Sequence, residues 1–158
     1  KAVDGVWIGL EAVMILRAEK GFIVIGKDTD GLTMPHDLGW GGPREKRGDE
    51  YLGKRSLFTP EAESASRRQL VGLELPAGEA PLATGAHLVP ASGRRRSLGF
   101  VTSTYQSPVL GRPIALALLE NGRARIGETV SCFHAGEVRS ATITEPCAFD
   151  PEGSRLDG

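Results

Sequence analysis

The sequence predicts an α+β chain in which a helix-plus-strand layer is followed by an antiparallel β unit of about six strands, either a barrel or a sandwich. Three observations carry this reading. Long helical periodicity appears over residues 6–20, where Trp7, Leu10, Met14 and Arg17 recur on one stripe with Val13 and Leu16 alongside. From residue 69 onward the pattern changes to short apolar or alternating runs with no helical segment between them. The 21 glycines and 10 prolines supply the turns that such a unit needs.

The first element is expected as a helix over Val6 to Lys20, with Asp4 or Gly5 as its cap. Gly21 punctuates it, and Phe22 to Ile25, four apolar residues in a row, read as a short buried strand. Residues 27–48 are mostly irregular. Within them Thr33-Met34-Pro35 predicts a helical turn, Thr33 capping and Pro35 in the first turn. Asp49 to Phe58 reads as a short helix stopped near Pro60, and Glu61 to Ser66 as a polar linker.

Strands follow at Gln69–Leu75, His87–Pro90, Ser97–Tyr105, Pro113–Leu119, Thr129–His134 and Glu137–Thr144. Strict alternation in the third would put Leu98, Phe100, Thr102 and Thr104 on one face, with Gly99, Val101, Ser103 and Tyr105 on the other. The fourth is apolar on both faces, as a doubly covered strand is. Ala135-Gly136 reads as a two-residue hairpin turn, and residues 147–158 as a tail rich in Pro, Gly and charge.

Composition excludes several classes of function. A net charge of −1 gives no electrostatic basis for general nucleic-acid binding, and Arg94-Arg95-Arg96 read as a solvated loop. No run of apolar residues is long enough for a transmembrane helix, so no membrane partner is expected. The opening residues lack the pattern of a signal peptide. Cys132 and Cys147 make neither a disulfide framework nor a metal spacing, which points to a reduced, cytoplasmic setting. Because the chain begins with Lys1 rather than Met, it is expected to be processed, trimmed or part of something longer.

Glu19 is the residue that breaks a local rule. A carboxylate in the last turn of a helix faces the negative end of the helix dipole, and such violations mark functional candidates. The competing account is a solvated carboxylate paired with Lys20 or Arg17. Asp28-Thr29-Asp30-Gly31 has the outline of a calcium loop. It fails because its glycine comes too early and the twelfth position is Gly39 rather than a bidentate Glu. Turn-forming aspartates explain it better. His36, His87 and His134 are too scattered for a metal site, and no glycine-rich dinucleotide loop follows a strand.

Several motifs in order carry a resemblance. Leu16-Arg17-Ala18-Glu19-Lys20-Gly21 with Gly26-Lys27-Asp28-Thr29-Asp30, then Leu38-Gly39-Trp40, then Tyr51-Leu52-Gly53-Lys54-Arg55-Ser56-Leu57 lie in the first part. Arg68-Gln69-Leu70-Val71-Gly72-Leu73, Gly99-Phe100-Val101-Thr102-Ser103 and Ser107-Pro108-Val109-Leu110-Gly111-Arg112-Pro113-Ile114-Ala115 follow. In this collinear order they resemble the folate-binding aminomethyltransferase family, the glycine-cleavage T-protein and its relatives. The ending Phe149-Asp150-Pro151-Glu152-Gly153 and the Arg17 to Ile23 wording are most similar to the alpha-subunit branch of heterotetrameric sarcosine oxidases.

The resemblance implies the C-terminal portion of a folate-binding aminomethyltransferase domain at 1–63, the family's C-terminal β-barrel at 64–146 and a tail at 147–158. It implies tetrahydrofolate as the cofactor, with flavins and NAD on other segments or subunits of a sarcosine-oxidase-type complex. Glu19 matches the family glutamate that accepts the two adjacent N–H groups of the pterin edge, chemistry suited to a carboxylate. Phe22 and Trp40 would flank the ring. Arg44 and Lys46 would stand near the glutamate tail of folate. No catalytic residue is assigned, because the family's catalytic acid lies upstream of the residues matched here. The implied role is one-carbon transfer to tetrahydrofolate during oxidative demethylation of sarcosine. The alternatives are a non-catalytic docking module and an aminomethyltransferase of glycine cleavage.

Overall fold

The computed structural model describes residues 5–40, 48–90 and 96–155. Among the described residues there is one α-helix, α1, spanning Leu10–Glu19. The six strands are β1 (Arg68–Glu74), β2 (His87–Val89), β3 (Gly99–Ser107), β4 (Arg112–Glu120), β5 (Thr129–His134) and β6 (Glu137–Thr144). They close into a barrel in the order β1-β4-β3-β2-β5-β6, and every neighbouring pair is antiparallel. A closed barrel leaves no free sheet edge.

Alternation fills the barrel interior. Val71 and Leu73 of β1, Ala115, Ala117 and Leu119 of β4, Val130 and Cys132 of β5, and Ala141 and Ile143 of β6 form one buried cluster. β4 is buried on its other face as well, as the run Pro113 to Leu119 predicts. There Leu116 and Leu118 join Leu70 in a second layer, packed against Ile23, Leu38 and Phe100. That layer fastens the N-terminal segment to the outside of the barrel. The β5–β6 hairpin turns through Ala135 and Gly136, both at positive φ, as the two-residue turn requires.

Strand β3 departs from strict alternation. Its register against β4 shifts between Val101 and Ser103, a bulge centred on Thr102. Val101 opposes Ala117 in the barrel interior, whereas Ser103 opposes Leu116 of the outer layer. Ser103 therefore does not share a face with Val101. Phe100, Ser103 and Tyr105 point outward toward the N-terminal segment, and Thr104 opposes interior Ala115.

The N-terminal part differs more from expectation. The helix begins at Leu10, not Val6, with Gly9 extended at the N-cap and no side-chain cap. Gly5 and Gly9 disfavour helix in the preceding residues, and Trp7 is fully exposed. Phe22 to Ile25 is not a buried strand: Phe22 is 65% and Ile25 78% exposed. Its backbone is satisfied locally, with Phe22 N–H donating to Arg17 O, Val24 N–H to the Asp28 carboxylate and Asp28 N–H to Val24 O. The turn is thus closed on Asp28, and no strand among the described residues pairs with it.

The helical turn near residue 34 is a 3₁₀ turn, Pro35–Leu38. Asp37, not Thr33, closes it, its carboxylate accepting from Met34 N–H at 2.8 Å. Thr33 instead bonds Asp30. The expected helix at Asp49 to Phe58 shortens to a 3₁₀ turn, Lys54–Phe58.

A candidate functional site between the helix and the barrel

The outward row of β3 meets the helix end through polar side chains. Glu19, the last residue of α1, is 1% exposed. Ser107 Oγ, at the end of β3, donates to Glu19 Oε1 at 2.6 Å. Ser107 Oγ in turn accepts from Leu110 N–H, so the turn between β3 and β4 fixes the hydroxyl. Glu19 is therefore not the solvated partner of Lys20 or Arg17. Lys20 bonds Asp150, and Arg17 bonds Asp28.

Beside it lies a second polar cluster. Asp28 is fully buried. Its Oδ2 takes Arg17 Nη1 at 2.5 Å and Val24 N–H at 2.9 Å. Its Oδ1 takes the hydroxyls of Thr102 and Ser103, each at 2.6 Å. Consecutive residues reach one carboxylate oxygen because the bulge lies at Thr102. Burial pushes the Asp28 carboxyl upward. The hydrogen bonds from Ser103, Thr102 and Val24 and the Arg17 charge outweigh it, so the net position is below the usual aspartate value.

Tyr105, next on the outward row, accepts from Lys27 Nζ at 2.9 Å and Arg17 Nη2 at 3.3 Å. Both cations also lie near its ring. Burial raises the phenol and these two donors lower it further, for a net downward shift.

A third buried carboxylate, Asp37, carries a forked contact from Arg67, with Nε at 2.9 Å to Oδ1 and Nη2 at 2.6 Å to Oδ2. Glu19 is the exception. Among the described residues it is the buried carboxylate that no cation pairs. Its chemistry is that of an acceptor with one side-chain donor and unspent lone pairs.

The other expected site residues are less gathered. Phe22 follows Gly21 directly beyond the helix end and is exposed. Trp40, 55% exposed, follows the Pro35–Leu38 turn, its N–H donating to Pro35 O. No hydrogen bond or ring contact among the described residues joins either to Glu19. Arg44 and Lys46 lie outside the described residues. No cluster of metal-ligating side chains occurs among the described residues, and none of their helices is long and apolar enough to cross a membrane.

In sequence Asp28 reads as a turn former, and Ser103 and Ser107 stand in the resembling motifs with no site role, as does Tyr105 in its strand. The available signal was chemical. Hydroxyl side chains at 102, 103, 104, 105 and 107 crowd a strand whose neighbour β4 is almost wholly apolar.

The barrel, its strand order and the motif-bearing outer row define a class. Residues 68–150 match the family described as "Glycine cleavage T-protein C-terminal barrel domain", and the chain belongs to that family. It is similar to sarcosine oxidase subunit alpha of Corynebacterium sp. (strain P-1), 42% identical over 157 residues, covering 95% of this chain and 16% of that protein. Aminomethyltransferase of Halothermothrix orenii is 32% identical over 136 residues, covering 86% of this chain and 36% of that protein. The crystal structure of the glycine cleavage system aminomethyltransferase T from Bartonella henselae superposes with a TM-score of 0.74 at 26% identity, over 92% of this chain and 40% of that one. The chain thus spans only a minor part of the length of each of these relatives.

Proposed function

We propose that this chain contributes part of a tetrahydrofolate-binding site to a sarcosine-oxidase-type alpha subunit, with Glu19 as the acceptor for the pterin edge. The observation that supports it most is the unpaired burial of Glu19. Burying a carboxylate without a cation is costly, and a group kept in that state is a candidate acceptor for a ligand with matching donors. Two adjacent N–H donors suit a carboxylate whose Oε1 is already oriented by Ser107. Phe22 and Trp40 offer exposed aromatic faces for the ring. Arg44 and Lys46 are the proposed cations for the anionic tail.

Tetrahydrofolate supplies the one-carbon chemistry when bound, accepting the unit at its ring and side-chain nitrogens. The residues of this chain bind and orient. Glu19 fixes the pterin edge, Ser107 holds the carboxylate rotamer, and the Arg17–Asp28 pair locks the helix end against β3. The oxidation of sarcosine and the acid that assists transfer belong to other segments or subunits. Val6, Trp7, Ile8, Leu10, Leu16 and Ile25 are all exposed, and such apolar side chains fit contact with those segments in a multisubunit enzyme.

The test is a titration of the chain with tetrahydrofolate, followed by the fluorescence of its two tryptophans. Saturable binding that Glu19→Gln weakens by about tenfold or more, a loss of about 1.4 kcal/mol or more, is expected. Absence of saturable binding, or an unaltered affinity in Glu19→Gln, would leave the module in a docking role alone.

A further inference from the structure

Beyond β6 the chain does not leave the molecule. Pro146 and Cys147 pass directly over Gly21, the residue after the helix. A side chain built on Gly21 would stand 2.8 Å from the Pro146 carbonyl carbon and 2.9 Å from Cys147 N, and Gly21 itself has φ +71. Only glycine meets both conditions without strain. Ala148 N–H and Phe149 N–H then both donate to the Glu19 carbonyl, each at 2.9 Å. Helix ends leave such carbonyls without intrahelical partners. Here the tail supplies them at the residue whose side chain Ser107 holds.

Next, Lys20 Nζ donates to Asp150 O at 2.5 Å and lies 3.2 Å from Asp150 Oδ2. The Asp150 carboxylate also accepts from Ser154 N–H and Oγ, at 2.9 and 2.7 Å, closing a turn that keeps Asp150 in place at φ 50.

We infer that Pro146–Asp150 is a strap that positions Glu19, so that Asp150 and Lys20 are positioning residues for the pterin-binding carboxylate. This inference rests on the folate reading above. The strap acts on the backbone of Glu19 while Ser107 acts on its side chain. Together they fix a group that carries no cation of its own. Preorganisation of this kind shows in ligand affinity more than in overall stability.

The experiment compares the chain with Asp150→Ala, Asp150→Asn and Lys20→Ala. Two readouts are taken: amide hydrogen exchange at Ala148 and Phe149, and affinity for tetrahydrofolate. Expected are faster exchange at those two amides in Asp150→Ala and Lys20→Ala, with barrel amides unchanged, and tetrahydrofolate binding weakened about fivefold. Asp150→Asn, which retains an acceptor for Ser154, should recover part of both. Unchanged exchange at Ala148 and Phe149 overturns the strap. Faster exchange with unchanged affinity, in a chain whose binding Glu19→Gln weakens, overturns its positioning role. If the unaltered chain does not bind tetrahydrofolate, the folate reading fails and the positioning role with it, while exchange at Ala148 and Phe149 still decides whether the strap holds Glu19.

Discussion

The Asp28 carboxylate, wholly removed from solvent, meets the guanidinium of Arg17 at 2.5 Å, and Ser103 Oγ bridges the two at 2.6 Å from each. The Arg17 side chain is itself only 9% exposed. Removing one member of a buried pair strands the other, at about 3–5 kcal/mol. Asp28→Ala should therefore destabilise the chain by about that amount in urea unfolding at neutral pH. Loss of both, as in a double substitution with Arg17→Leu, should cost less than the sum.

The same carboxyl predicts a pH response. Its folded value lies below the ordinary aspartate value. It therefore contributes stability above the unfolded value, and that contribution fades as pH falls through the folded one. Unfolding followed from pH 6 down to about pH 2 should show stability falling, with a shallower fall in Asp28→Asn. Equal slopes in the two chains would contradict the assignment.

Most of the barrel is legible in the sequence, because period-two alternation and turn residues mark each strand locally. β5 and β6 begin and end where the pattern says. The N-terminal part was less so. Phe22 to Ile25 has the composition of a buried strand, yet burial depends on a neighbour, and composition does not reveal whether one is present. Glu19 was legible as an oddity. Its partner Ser107, 88 positions away, was not, since nothing local ties a serine to a distant carboxylate. Asp28 was misread for the same reason. A turn aspartate and an ion-paired one look alike until Arg17, Thr102 and Ser103 are brought around it.

Ser107→Ala should remove the hydroxyl that Glu19 accepts. A hydrogen bond to a buried charged group contributes about 1.5–3 kcal/mol. The expected result is a stability loss in that range together with weaker tetrahydrofolate binding. Ser107→Thr, which keeps the hydroxyl, should be milder in both. An undiminished affinity in Ser107→Ala would detach Ser107 from the site.

Gly99→Ala tests the barrel itself. A Cβ there would sit 1.9 Å from the Leu118 carbonyl oxygen, where β3 and β4 approach. Backbone cannot yield as a side chain can, so a loss of about 3 kcal/mol is expected by thermal or urea unfolding. Phe22→Ala is the contrasting case: an exposed residue whose removal should change stability by no more than about 0.5 kcal/mol while lowering tetrahydrofolate affinity.

The cysteines should behave differently. Burial in the barrel pushes the Cys132 thiol up to about 11, with the Arg139 charge opposing it weakly. At pH 8 it is protonated and enclosed, hence unreactive. A thiol reagent should leave Cys132 unmodified in the folded chain and modify it only on unfolding, as peptide mapping would show.

The bulge at Thr102 sets a reading frame. Upstream of it odd-numbered residues of β3 face the interior, and downstream even-numbered ones do. Strict alternation at the same length, without the bulge, would turn Ser103, Tyr105 and Ser107 inward together. A polar row would enter the apolar lumen, and Asp28 and Glu19 would lose the hydroxyls of Ser103 and Ser107. Substitutions along β3 act one residue at a time, whereas a change of frame acts on the whole contact between helix and barrel. Relatives that keep this contact are therefore expected to keep either the bulge or a β3 shorter by that one residue, both of which leave the Ser103, Tyr105 and Ser107 positions facing outward.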